Sequence, residues 1–318
     1  MNNKQKLPSR AYTIFAILVV GGVWLYARNV TSSSVKNASH FENPAISLIQ
    51  GTINKEKETP LDDEGRLQAL SNEVIPSRGV ELPVEIHDLG PKLISAGVID
   101  KEKFLDIYAN DAGLKNIAED LLGGARRGRI IITRTNAPVI LNFLWAFGLG
   151  NKNKILEEGP MVDPKYNGAG NFASTGGWTL ARGNAMEHYS KYEFVTLTAE
   201  QQSLVERVSK NIFRPCCGNS TYFPDCNHGM AMLGLLEIMA SQGVSEGEMY
   251  RSALAVNAYW FPDTYITIAK FLESKGLSYS TFDPKELLNA EYSSGSGYHA
   301  IASQVTSVKG GGGSCGVR

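Results

Sequence analysis

The chain has 318 residues, with 31 Lys plus Arg against 32 Asp plus Glu, so no global charge draws it to nucleic acid. That length buries a substantial core without covalent staples. Four cysteines are too few for a disulfide scaffold.

The first expected element is a membrane anchor. Residues 11–27 form an uncharged apolar run, preceded by Lys4, Lys6 and Arg10 and followed by Arg28. As a helix this run reaches about 25 Å, slightly short of the hydrocarbon core. Arg10 and Arg28 can snorkel to close the gap, and Trp24 and Tyr26 suit the interface. Leu25 and Ala27 match a small-residue cleavage site poorly, which favours an uncleaved signal anchor over a signal peptide. The basic flank predicts a cytoplasmic N-terminus and a body on the extracytoplasmic side, where disulfides can form. Residues 1–28 are therefore read as cytoplasmic flank and transmembrane helix. Residues 29–80, polar and charged with Pro60 as punctuation, are read as a tether, with a short helix over 44–50.

Residues 81–308 are expected to form a mainly helical domain. Asp100 is a predicted cap, and a glycine pair at 123–124 is a predicted helix stop. Residues 136–150, "NAPVILNFLWAFGLG", are apolar nearly all round and too short to span a bilayer, which predicts a buried core helix. "GRIIITRT", 128–135, reads as one strand, and the glycine-rich 166–179 as a long loop. Thr198 opens a helix with Leu204, Val205 and Val208 facing inward. Ser245 opens another, and Asp283 with Pro284 a third. Alternating patterns are scarce, so the fold class is mainly α.

Chemistry concentrates in residues 214–232, "RPCCGNSTYFPDCNHGMAM". Asp225 sits where a helix cap belongs, and a helix from Cys226 would place Cys226 with Met230 and His228 with Met232. A helix N-terminus favours the thiolate, the form that binds metal or attacks. Cys216 and Cys217 lie on the preceding loop, which is long enough to fold back. Cys216, Cys217, Cys226 and His228 make a four-donor zinc set; Met230 or Met232 would soften it toward copper(I). The adjacent cysteines chelate awkwardly, because successive side chains diverge. A disulfide from Cys226 to Cys216 or Cys217 is the competing reading, and it leaves an odd cysteine. Residues 309–318, "GGGGSCGVR" with its preceding lysine, form a glycine-rich tail whose Cys315 would either complete this site or be incidental. Glu237 is expected to be an exposed residue in an apolar helix, and His87, His188 and His299 to be structural.

The segment "RPCCGNSTYFPDCNHG", followed by an apolar helix and "GVSEGEMYRSA", resembles extracytoplasmic bacterial proteins that carry a PCYCGC motif. The resemblance covers residues 214–252. It implies a membrane-tethered, thiol-rich protein with a metal role and no assigned reaction. This chain differs in placing Cys216 beside Cys217 and in having a transmembrane rather than a lipid anchor.

Together these readings predict a membrane-anchored metal-binding protein for copper or zinc, served by a metal-donor or redox partner, rather than an enzyme. Two alternatives stand beside it: a thiol–disulfide redox protein, and a structural or interaction module whose cysteines are staples. No G-x-S-x-G or H-E-x-x-H pattern points to a hydrolase.

Overall fold

Helix α1 (Asp63–Val74) opens the described chain and packs on a late helix, α10 (Pro262–Ser274), where Arg66 pairs with Glu273. The computed structural model describes residues 63–124 and 128–305, all within one compact unit that starts at Pro60. The anchor expected over 11–27, the short helix over 44–50 and the Cys315 tail lie outside the described residues. The folded unit thus reaches back into the span expected to be a tether. Of α1 only Val74 is fully buried, so the segment carries almost no apolar stripe to read.

The described residues are mainly helical. After α1 come strand β1 (Val80–Glu85), α2 (Leu89–Ala96), α3 (Lys101–Asp106), α4 (Ala112–Gly123) and strand β2 (Arg129–Ile132). Then follow α5 (Ala137–Gly150), α6 (Lys154–Glu158), α7 (Ala199–Ser209), α8 (Asn227–Ser241), α9 (Glu246–Trp260) and α10. Three short helices, α11 (Pro284–Leu287), α12 (Ala290–Ser293) and α13 (Gly295–Ala302), end it. Among the described residues the only sheet is an antiparallel pair, with Val80 opposite Ile132 and Glu85 opposite Arg129. β1 was not expected. Pro83 and a register irregularity interrupt it, and both mask a strand. Its alternate residues Leu82 and Val84 are nevertheless buried.

The caps expected at Asp100, Thr198, Ser245 and Asp283 are present. Asp100 accepts from the backbone of Glu102 and Lys103, and Asp283 from Lys285. Thr198 and Gln201 complete a capping box, with Val205 and Val208 buried and Leu204 half-buried. Ser245 accepts from Glu248 N–H.

The core is built on α5 and α8, each apolar on every face and buried along nearly its whole length. They touch backbone to backbone. A methyl group on Gly234 would sit 2.7 Å from Leu144 O and 2.9 Å from Gly148 N, and one on Gly148 would overlap Met230 O. Only glycine allows that approach. One turn further on, Asn151 meets Glu237, so the two helices run in the same direction. This contact fixes the start of α8, where the cysteine loop ends. Among the described residues no helix is long and apolar enough to cross a membrane.

Candidate metal-binding cysteine site

The loop before α8 is folded back on the helix start, because several elements pin it. Phe213 and Ser220 form an isolated bridge, and Thr221 N–H donates to Ile212 O. Phe213 N–H donates to Leu288 O, while Asn257 Nδ2 donates to Phe213 O. Gly295 N–H at the start of α13 donates to Cys217 O. Ser174, from the glycine-rich loop 166–179, donates its N–H to Asp225 O, and Phe172 packs edge to face on both Tyr166 and Phe223. That long loop therefore serves as scaffold for the cysteine segment.

The segment is organised round a buried cation that sequence reasoning missed. Arg214 is 1% exposed. Its Nη2 donates to Asp225 Oδ1 at 2.6 Å and to Phe223 O at 3.1 Å, its Nη1 to Asn219 O, and its Nε to Cys226 Sγ at 3.0 Å. Asn219 Nδ2 holds the other oxygen of Asp225 at 2.8 Å. A buried charge persists only when paired and hydrogen-bonded, and this one is both. Asp225 is thus the partner of Arg214 and not the cap of α8. Cys226 occupies the cap position, and the helix begins one residue later than expected. The guanidinium lies against Gly229, where a side chain would put a carbon 2.5 Å from Cζ. In sequence a single Arg before Pro-Cys-Cys reads as a surface residue; the only available signal was the pairing of Arg214 with Asp225 across a Cys-rich loop.

The sulfurs gather on one side of this cation. Cys216 Sγ and Cys226 Sγ are 3.5 Å apart, and no disulfide joins any of the three described cysteines. Cys216, Cys226 and His228 present donor atoms that all lie within 4.8 Å of one another. A second group, Cys217, Asp225 and Cys226, meets the same limit. The expected four-donor set is therefore divided between two groups sharing Cys226, as diverging neighbours predict. His228 is buried against Phe261 and Trp260, with ring centroids 4.4 and 5.5 Å away, and its Nδ1 has no hydrogen-bond partner. A neutral imidazole nitrogen is a ligand type for zinc and copper, and one nitrogen of this buried ring lies beside the two sulfurs.

Hydrogen bonds from Cys216 and then Cys217 hold the Cys226 thiol well below its usual value against the opposing effect of burial, and Arg214's charge and His228 add to the shift. Cys217 moves the other way. Its hydrogen bond with Cys216 is outweighed by Cys226 and burial, which push it up to about 11. Of these two, Cys226 is the ready thiolate.

Met230 and Met232 are buried in the apolar core. Glu237, expected to be exposed, is fully buried. Asn151 Nδ2 donates to one carboxylate oxygen, and the other has no hydrogen-bond partner. Burial drives its pKa well above the ordinary carboxyl value, against the lowering effect of Asn151 and Asn153. His188 bridges Tyr192 Oη and Arg182 O, a structural role as expected. Surface clefts of about 790 Å³, along Lys152 to Glu206, and 650 Å³, along α1 and α10, include none of the three cysteines in their linings.

Comparison with family models, curated proteins and solved structures finds no match.

Proposed function

We propose that the protein is a membrane-anchored, extracytoplasmic metal-binding protein that holds copper or zinc through Cys216, Cys226 and His228. The observation that carries this reading is the triad itself: two sulfurs and a nitrogen of a buried imidazole within 4.8 Å of one another. A tetrahedral zinc with bonds of about 2.3 Å spaces its sulfurs about 3.8 Å apart. The 3.5 Å between Cys216 and Cys226 is close to that edge. Thiolate and imidazole are soft or borderline donors and select copper(I) or zinc over magnesium or calcium. Metal content and affinity of the anaerobically purified, reduced protein test the reading. Cys226→Ser combined with His228→Ala is expected to abolish most of the affinity, and a reduced protein that binds neither metal overturns it.

The anchor over residues 11–27 belongs to the same proposal. Intact mass of the membrane fraction tests it, since a mature start between residues 27 and 39 would show a cleaved signal instead.

One observation favours a second reading, a thiol–disulfide redox protein. Arg214 Nε and Cys216 Sγ both touch Cys226 Sγ, an arrangement of stabilised thiolate and neighbouring thiol. A disulfide between Cys216 and Cys226 that forms with a dithiol reagent couple and turns over, in protein without metal affinity, would favour it over the metal site.

A further inference from the structure

We infer that the segment binds two copper(I) ions, with the Cys226 sulfur bridging them. The inference rests on the metal-binding reading and adds to it the metal, the number of ions and one further ligand, Cys217.

The geometry gives two donor groups around one sulfur. Cys216 and His228 lie with Cys226 in the first, and Cys217 and Asp225 with Cys226 in the second. Cys217 Sγ is 3.9 Å from Asp225 Oδ1, on the side of the loop held by Asn219 and Arg214. The adjacent cysteines are what create two sites. Cys216 groups with His228 and Cys217 with Asp225, while both reach Cys226. A thiolate has lone pairs enough for two metal ions, and a hydrogen bond from Arg214 Nε does not exhaust them.

Donor number selects the metal. Five side chains are present, with Cys226 shared by the two groups. Two structural zinc ions would ask for four ligands each. Copper(I) is content with two or three, and it prefers sulfur. In the second group the Asp225 oxygens already serve Arg214 and Asn219, so Cys217 and Cys226 carry that ion as a thiolate pair. Charge balance agrees. Three thiolates and Asp225 bring four negative charges into a partly buried cluster. Arg214 and two copper(I) ions supply three positive ones, which leaves a net charge of minus one. Each thiol that ligates loses its proton to solvent, and no electron moves.

The test uses the full chain carrying Cys315→Ser, so that the tail thiol cannot bind copper. The reduced protein is titrated anaerobically with copper(I) against a chromophoric copper(I) chelator. X-ray absorption is then recorded on protein loaded with two equivalents. The expected result is two ions per chain, a short copper–copper distance, and one ion per chain after the further change Cys217→Ser. One ion per chain before that change, or two after it, overturns the bridged pair and leaves the metal reading standing. Loaded protein without a copper–copper distance overturns it as well, independently of whether the Cys217→Ser chain folds. A protein that binds no copper and no zinc defeats both.

Discussion

Nε of Arg214 donates a hydrogen bond to Sγ of Cys226 at 3.0 Å, and the same guanidinium is ion-paired with Asp225 at 2.6 Å. Replacing it with an apolar side chain removes one of the effects that hold Cys226 as a thiolate. Arg214→Met is therefore expected to move the alkylation midpoint of Cys226 upward, toward the ordinary thiol value of 9.0. Iodoacetamide labelling across a pH series, read by mass spectrometry, checks this; an unmoved midpoint would refute it. Removing one member of a buried ion pair also costs about 3 kcal/mol or more. The sign of the pH effect follows from a depressed thiol pKa. The thiolate's contribution to stability is present in full above the unfolded thiol value and is lost as pH falls through the folded one.

Gly229→Ala should be destabilising although alanine is the better helix former by about 1 kcal/mol. The added methyl would overlap the Arg214 guanidinium, which has no room to retreat inside its four hydrogen bonds. The expected readout is a lower Tm together with the same upward shift in Cys226 alkylation. A variant more stable than wild type would show that Arg214 can move.

Glu237→Gln is expected to stabilise the protein increasingly as pH rises. Burial raises the folded-state carboxyl pKa of Glu237 well above its ordinary value. Stability from such a group is complete below the unfolded value of 4.5 and is lost as pH rises toward the folded value. The amide keeps the shape without that loss. Thermal melts at pH 5 and pH 8 check it: the Tm advantage of the variant should grow by several degrees between them, about 2–4 °C for each kcal/mol. A constant difference would mean that Glu237 is ionised in the folded state.

Metal binding should release protons and weaken as pH falls, because thiolate ligation requires deprotonation. Met230→Leu and Met232→Leu should leave affinity within about threefold of wild type, since conservative changes in a core cost little and both residues pack in it. Competition titrations at pH 6 and pH 8 measure both effects. A large loss of copper(I) affinity in either methionine variant would bring a thioether into the ligand set.

Local chemistry made much of the fold legible in the sequence. Asp100, Thr198 and Asp283 cap helices because each needs only its own next few backbone N–H groups. α5 was legible because a run apolar on every face has nowhere to go but inside. The meeting of Cys216 with Cys226 followed from loop length. What stayed hidden depends on distant partners. Glu237 is buried because Asn151, 86 residues away, meets it where α5 and α8 lie together. The burial of Arg214 depends on a loop geometry pinned by Leu288, Asn257 and Gly295. β1 was masked by Pro83, and α1 by its charged, nearly stripe-free sequence.

The guanidinium of Arg214 already occupies the centre of the loop, joining Asn219, Phe223, Asp225 and Cys226. In many small metal domains the ion itself does this job, and chelators unfold them. Here a built-in cation holds the loop, so under the proposed function its shape would not depend on a bound ion. Loading and unloading then involve little rearrangement of the chain, and a competing ligand should strip the ion without melting the protein. Under the proposed function, that would be the behaviour of a carrier that hands metal on, rather than of a domain that keeps its ion as a permanent strut.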